Sequence, residues 1–175
     1  MREQDRNKAW GFTLFADDLR IEIGGKMSIM GAYQADIFFP SHLPFPISLP
    51  KFCALIMYYE IKGSIKDDII FKVTFGSDNK TLVEIPFLRK DIESTAGNEP
   101  TPEKIGAEYA EDSERIFHTR IPIGITPFVI TEAGRLRVRA YFSDGSILKL
   151  GSIGARHVPT EEFNQMLGIV PKPTP

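Results

Sequence analysis

Five charged residues lie close together near the N-terminus and are the first candidates for chemistry. They are Asp17, Asp18, Arg20, Glu22 and Lys26. Two adjacent carboxylates can ligate a cation or supply a general base, as a metal-dependent hydrolase would require. Adjacent residues of a strand point to opposite faces, however, so that Asp17 and Asp18 would not converge on one ion. The pattern therefore favours a structural ion network around Arg20 and predicts no metal site.

A second group of charged residues recurs at every second position of one segment. Arg135, Arg137, Arg139 and Tyr141 alternate with apolar residues, which is typical of a half-buried strand. Three guanidinium groups on one face would bind phosphate or an acidic partner protein, and the alternative is a solvated outer face. Only Tyr141 could stack on a base beside them, so single-stranded nucleic acid is not the expected partner.

The remaining reactive side chains form no recognisable catalytic set. The histidines at 42, 118 and 157 are far apart in sequence and lack metal-ligand spacing. Cys53 lies in an apolar run, which indicates a buried, inert thiol. We therefore expect a protein that is not an enzyme and that needs no cofactor.

The first charged group lies within a predicted hairpin over residues 12–33. The apolar residues before Asp17 occupy even positions and those after Asp18 odd positions, which predicts a β-bulge or corner at this pair. A three-residue loop, Gly24–Gly25–Lys26, would put the apolar side chains of both strands on one face. In that register, Ile23 would lie opposite Met27 and Ile21 opposite Ile29.

The same stretch carries a motif, D-D-x-R-x-E-x-x-G-K-x-S-x-x-G-x-Y, that runs from Asp17 to Tyr33. It resembles the N-terminal signature of an uncharacterised family of small β-rich proteins from bacteria and their phages. The likeness extends over residues 14–40, and residues 134–156 resemble the closing hairpin of that family. The resemblance implies a β-rich fold and a bacterial or phage origin, and it implies no activity.

The rest of the chain reads as short strands separated by turns, without long helices. Residues 51–61 are apolar at both parities and predict an interior strand, and Asp144–Gly145 is a hairpin turn signal. A short helix is expected at residues 161–167. This pattern predicts an all-β fold, an antiparallel β-sandwich of about eight strands with immunoglobulin-like architecture, or alternatively a partly open barrel. At 175 residues the chain is expected to be one domain.

The formal net charge of −2 is unevenly distributed along the chain. Residues 91–114 hold eight acidic residues against one lysine, so the rest of the chain carries +5. Because this segment contains few large apolar residues, we expect a mobile acidic insertion, together with a loose start at 1–9 and a proline-rich tail at 168–175.

The composition also bears on location and function. No run of about 18 apolar residues occurs, and the N-terminus has no apolar signal core, which predicts a cytoplasmic protein with no membrane association. The expected function is a non-enzymatic interaction module that binds another protein or itself. The alternatives are a metal-dependent hydrolase using Asp17 and Asp18, and a structural component of a phage-like particle.

Overall fold

The computed structural model describes residues 9–61, 64–65, 67–90 and 116–168. This part of the chain contains eleven strands and a short C-terminal helix. The elements are β1 Ala9–Ile21, β2 Met27–Ala32, β3 Ile37–Pro40, β4 Ile47–Leu49, β5 Phe52–Ile61, β6 Ile69–Phe75, β7 Lys80–Phe87, β8 Ile116–Ile125, β9 Phe128–Ile130, β10 Gly134–Phe142, β11 Ile147–Val158 and α1 Thr160–Met166.

Nine of these strands form two main sheets that pack face to face. Sheet A has the order β2-β1-β5-β8 and sheet B the order β3-β11-β10-β6-β7, while β4 and β9 form a small third sheet. The pairs are antiparallel except for β3 and β11, which are parallel. The predicted all-β sandwich is therefore confirmed, with one strand more in its two main sheets than the eight expected.

Side chains from both main sheets meet in one hydrophobic core. On β5 the even-numbered residues face sheet B, where the buried Tyr58 ring packs edge-on against Phe71 of β6. The odd-numbered residues of β5 face away from sheet B, yet Cys53 and Leu55 are also buried. The predicted interior strand is thus confirmed.

The two sheets approach each other most closely where β1 crosses β11. Gly11 and Thr13 point inward there, and a Cβ on Gly11 would lie 2.7 Å from Leu150 Cδ2 and would overlap the Met57 carbonyl oxygen. Small inward residues are required at such a distance, because any larger side chain would overlap its neighbours. The large apolar residues between Trp10 and Leu14 consequently lie on the opposite, outer face of sheet A, whereas Phe15 faces the core.

The hairpin of β1 and β2 corrects two expectations. The β1–β2 and β1–β5 registers run without a shift, so the predicted bulge at Asp17–Asp18 is wrong. The apparent change of phase arises because Phe12 and Leu14 lie on the outer face of β1, whereas Leu19 and Ile21 share the inward parity of Phe15.

The loop of this hairpin has three residues, as predicted, but it is Ile23–Gly24–Gly25. The Glu22 amide donates to the Lys26 carbonyl oxygen at 2.7 Å, and Ile21 lies opposite Met27. Both glycines have positive φ, 84° and 75°, which the tight loop requires. Because β1 pairs with β5 only as far as Ala16, the tip projects beyond the sandwich and Ile23 is fully exposed.

The predicted loose start, acidic insertion and proline-rich tail fall almost wholly outside the described residues. The C-terminal helix is present, with Pro159 as its N-cap residue. In the described ranges, no helix is both long and apolar enough to cross a membrane.

Candidate functional site

The arginine-bearing strand β10 has the two faces that its alternation predicted. Leu136, Val138 and Ala140 are buried in the core, with at most 1% of each exposed. The candidate binding residues occupy the other parity and lie on the outer face of sheet B: Arg135, Arg137, Arg139 and Tyr141.

Neighbouring strands add two further cations to this face. Lys149 of β11 and Lys72 of β6 both lie opposite Arg139 in the cross-strand register. Neighbouring strands are about 4.8 Å apart, so three positive charges follow one another across β11, β10 and β6. Glu84 of β7 ends this row and forms an ion pair with Lys72 at 2.9 Å. We call Lys72, Arg135, Arg137, Arg139 and Lys149 the basic face.

Arg135 and Arg137, near the N-terminal end of β10, are held by local hydrogen bonds. Arg135 donates to Ser152 Oγ at 3.1 Å, and Arg137 donates to the Gly76 carbonyl oxygen at 3.0 Å. Asp36 lies 4.0 Å from Arg135 at the edge of the face. Within the described part of the chain, no hydrogen bond or ion pair from the side chains of Arg139 and Lys149 is present. These two cations are therefore available to a partner.

The aromatic ring of the basic face is already in contact with a cation. The ammonium group of Lys72 lies 5.4 Å from the centre of the Tyr141 ring. At the edge of sheet B, the guanidinium group of Arg156 covers the Phe38 ring in the same way, at 4.9 Å. Both contacts are cation–π interactions, which occupy one face of each ring.

Lys72 and Lys149 were missed by the sequence reasoning for a definite reason. The alternation of β6 points Lys72 outward, and the turn at Asp144–Gly145 pairs β10 with β11. However, the pairing of β6 with β10 joins segments about 65 residues apart, and no local pattern specifies it. A bulge between Val138 and Arg139 also shifts the register so that Lys149, not Leu150, faces Arg139.

The N-terminal charged group does not converge on one point. On the outer face, Asp18 forms ion pairs with Arg20, at 2.8 Å, and with Lys51. The hydrogen bonds from Lys51 and Arg20 lower the pKa of Asp18 to about 2. The network is therefore centred on Asp18, which pairs with both Arg20 and Lys51, and not on Arg20 held between Asp18 and Glu22 as predicted.

The other three members of that group lie apart from this network. Asp17 points to the inner side and accepts a hydrogen bond from the Tyr33 hydroxyl at 2.5 Å. Burial, together with this hydrogen bond, raises the pKa of Tyr33. Glu22 accepts from Ser28 Oγ at 2.8 Å, and Lys26 is exposed beside the hairpin tip. Across the residues with a described placement, no group of three or more potential metal ligands occurs.

A third set of polar side chains is buried at the end of β5. Glu60 is 1% exposed and accepts two hydrogen bonds from the Arg89 guanidinium, at 2.5 and 2.8 Å. Tyr58 Oη donates to the same carboxylate at 2.7 Å, and burial together with this bond raises the pKa of Tyr58. Arg89 also donates to the Asp67 carbonyl oxygen at 3.0 Å. These hydrogen bonds join Tyr58, Glu60 and Arg89 to one another and to the Asp67 backbone, which indicates a structural role.

Comparison with known proteins adds no family to this description. Neither a protein-family model nor a curated protein matches the chain. The likeness of the Asp17–Tyr33 motif to a bacterial and phage family stays a prediction.

Proposed function

We propose that the protein is a non-enzymatic binding module whose basic face binds an acidic surface of a partner protein. The observation that carries the proposal is the row formed by Lys149, Arg139 and Lys72 on three adjacent strands. Like charges directly opposite each other on a sheet destabilise it by roughly 0.2–1 kcal/mol per pair. Carboxylates of a partner would remove this repulsion, so the arrangement favours the bound state over the free one.

The type of cation also supports an acidic protein as partner. Arg139 is half-buried and presents a planar fork that matches a carboxylate with two parallel hydrogen bonds. Lys149 is exposed beside it and adds a mobile point charge. The apolar parity of β10 fixes the face of sheet B on which the arginine side chains lie, so all of them are presented to the same partner surface.

The aromatic contacts make nucleic acid a less suitable partner for the same face. Proteins that bind single strands stack bases on free aromatic rings between their cations. Here the Tyr141 ring is in contact with Lys72, and the Phe38 ring with Arg156. A cation thus already covers one face of each ring, which leaves less aromatic surface for a base and favours protein carboxylates.

Binding of a fluorescently labelled poly-L-glutamate tests the proposal. We expect binding at about 50 mM salt that is lost at about 0.5 M, because the contact is electrostatic and screened. The double variant Arg139→Gln/Lys149→Gln should bind about tenfold more weakly, as expected for the loss of roughly 1.4 kcal/mol from two exposed ion pairs. It should melt no lower than the wild type, since the like-charge contacts of Arg139 with Lys149 and with Lys72 are both removed.

A matched control removes the same charge from other surfaces. The variant Arg20→Gln/Lys26→Gln, at the exposed β1–β2 hairpin, should keep the affinity for poly-L-glutamate within about twofold of wild type. Equal losses in both variants would mean a general charge effect and would refute the proposed face. Tighter binding of oligo-dT than of poly-L-glutamate, lost in the first variant only, would assign the face to nucleic acid.

A further inference from the structure

The outer face of sheet A is apolar where a solvent-facing sheet is ordinarily polar. Along β1, Trp10, Phe12 and Leu14 point away from sheet B and are 40, 47 and 39% exposed. Tyr59 and Met57 of β5 lie beside them, opposite Trp10 and Phe12 in the register, and are half-buried. Antiparallel sheets that face water on one side normally alternate apolar and polar residues, and β1 departs from this rule.

The apolar surface is continuous across three strands. The Trp10 and Tyr59 rings are nearly parallel, 8° apart, with centres 5.8 Å apart. Tyr59 is followed by His118 of β8, whose ring lies 6.2 Å away at 22°. Ile116, 49% exposed, extends the surface at one end, and Pro122 of β8 lies beside Leu55 at the other. Residues on one row thus come from β1, β5 and β8.

The exposed area matches the centre of a protein interface. Aromatic side chains have areas of about 150–250 Å², so Trp10 and Phe12 together expose roughly 150–200 Å². With the aliphatic side chains around them, the patch reaches several hundred Å², near the upper limit for a monomer surface. A stable interface covers about 800 Å² on each partner, with an apolar centre and a polar rim. His118 and Arg120 of β8 supply such a rim.

We propose that this face is the contact surface of a homodimer. The surface is a sheet face, and the surface that fits one twisted sheet best is another sheet with the same twist. A second copy of the chain supplies that twist by identity. In a two-fold dimer the same patch meets itself, so an uncharged apolar patch is complementary to its copy without any opposite charge.

The other exposed surfaces are less suited to such a contact. The basic face of sheet B would repel its own copy. The hairpin tip exposes Ile21 and Ile23, but it is a ribbon of two strands and offers a narrow surface. The dimer formed by sheet A leaves the basic face on its two outer sides, free for an acidic partner. The proposal is independent of the proposed function, since the two surfaces lie on opposite sides of the sandwich.

The only tryptophan of the chain, Trp10, lies on the proposed contact and reports on it directly. The full chain is diluted from about 100 to about 0.5 µM, a range suited to affinities near −8 kcal/mol, which corresponds to about 1 µM. We expect the mass in sedimentation to fall from about twice 19.7 kDa to that value. The Trp10 emission should move to longer wavelength, and iodide quenching should increase, over the same range. Neither change should depend on salt up to about 1 M, because the contact is apolar.

Variants then locate the contact. Phe12→Asp should raise the dissociation constant at least about 100-fold, since it puts a charge into the centre of the patch. Ile23→Asp at the hairpin tip and Val129→Asp on β9, at exposed positions of comparable type, should leave dimerisation unchanged. If Phe12→Asp does not fold, the dilution of the wild-type chain still decides the question.

Three outcomes would overturn the proposal. A constant mass of 19.7 kDa with a solvent-exposed Trp10 would show that the face stays open. The same mass with a shielded Trp10 at every concentration would show that another part of the chain covers it. A dimer that dissociates in high salt, or that is lost in Ile23→Asp but kept in Phe12→Asp, would place the contact elsewhere.

Discussion

The buried pair of Glu60 and Arg89 gives the sharpest prediction on stability. The substitution Glu60→Gln keeps the shape of the side chain and removes its charge. The new carboxamide could still accept hydrogen bonds through its one oxygen, but its amide nitrogen would oppose a donor of the Arg89 guanidinium. A cation that is 14% exposed would then lack its counter-charge.

The magnitude follows from how little water can reach the pair. Breaking a buried ion pair by removing one partner destabilises a protein by about 3–5 kcal/mol. Glu60 is almost fully buried, whereas the Arg89 guanidinium retains some contact with solvent and another acceptor on Asp67. We therefore expect the lower end of the range, about 3 kcal/mol. For a domain of this size, that corresponds to a fall in Tm of about 6–12 °C.

Urea unfolding of three variants measures this loss and separates its causes. Glu60→Gln and Arg89→Met should each lower the free energy of unfolding by about 3 kcal/mol at unchanged m-value. The double variant Glu60→Leu/Arg89→Met should lose much less than the sum, because apolar replacement of a whole buried pair is nearly neutral. Single-variant losses below about 1 kcal/mol, or strict additivity in the double variant, would refute the reasoning.

Three further predictions concern single positions. Gly31→Ala should destabilise the fold by about 2 kcal/mol or more, since φ is +65° and a Cβ would overlap Asp17 Oδ2. Gly145→Ala, at φ +81° with open space around it, is the control that measures backbone strain alone, and it should lower the free energy of unfolding by less. The pKa of Asp18 is about 2 in the fold against 3.8 ordinarily, so its ion pairs stabilise the protein fully above about pH 4 and are lost as the pH falls through about 2. The difference in unfolding free energy between wild type and Asp18→Asn, measured in urea, should therefore shrink over that interval. A constant difference would contradict this. Thr74→Val should raise stability by up to about 1 kcal/mol in urea unfolding, because the buried Thr74 hydroxyl has no hydrogen-bond partner among the described residues, and a loss would show that this hydroxyl is satisfied.

Strands with one apolar parity were assigned correctly from sequence. On β10, every second residue from Leu136 to Ala140 is apolar and small enough to pack, while the intervening residues are charged. Only one orientation buries the apolar set without burying arginines, so the alternation determines the face. The candidate residues on β10 could be predicted for this reason.

β1 shows why the same reasoning fails when either set of alternate residues could face the core. We expected large apolar residues to face the core, which forced a bulge at Asp17–Asp18. The structure instead places Gly11 and Thr13 inward, because β11 approaches too closely for larger side chains. Which face is inner thus depends on the local distance between the sheets, and that distance is set by β11, about 140 residues away. No local pattern contains this information.

The buried Glu60 shows the opposite case, in which a signal was present and unused. It occupies the inward parity of β5, after Phe52, Ala54, Ile56 and Tyr58. A carboxylate at such a position must meet a cation or a proton, because an unpaired buried charge is too costly to keep. The sequence could therefore have predicted a buried partner, although not which of the chain's basic residues provides it.

The basic face of sheet B and the apolar outer face of sheet A differ because the outward residues of a strand are not constrained by the core. Each main sheet must give one face to the core, and its other face is free to vary without unfolding the protein. Sheet B presents to water a row of cations that repel one another, and sheet A presents rings that water solvates poorly. Both arrangements reduce the stability of the isolated chain, and the two proposals would relieve each with a different partner: carboxylates for sheet B, an identical apolar face for sheet A. Because one contact is screened by salt and the other is not, a titration with salt at fixed protein concentration separates them in a single sample.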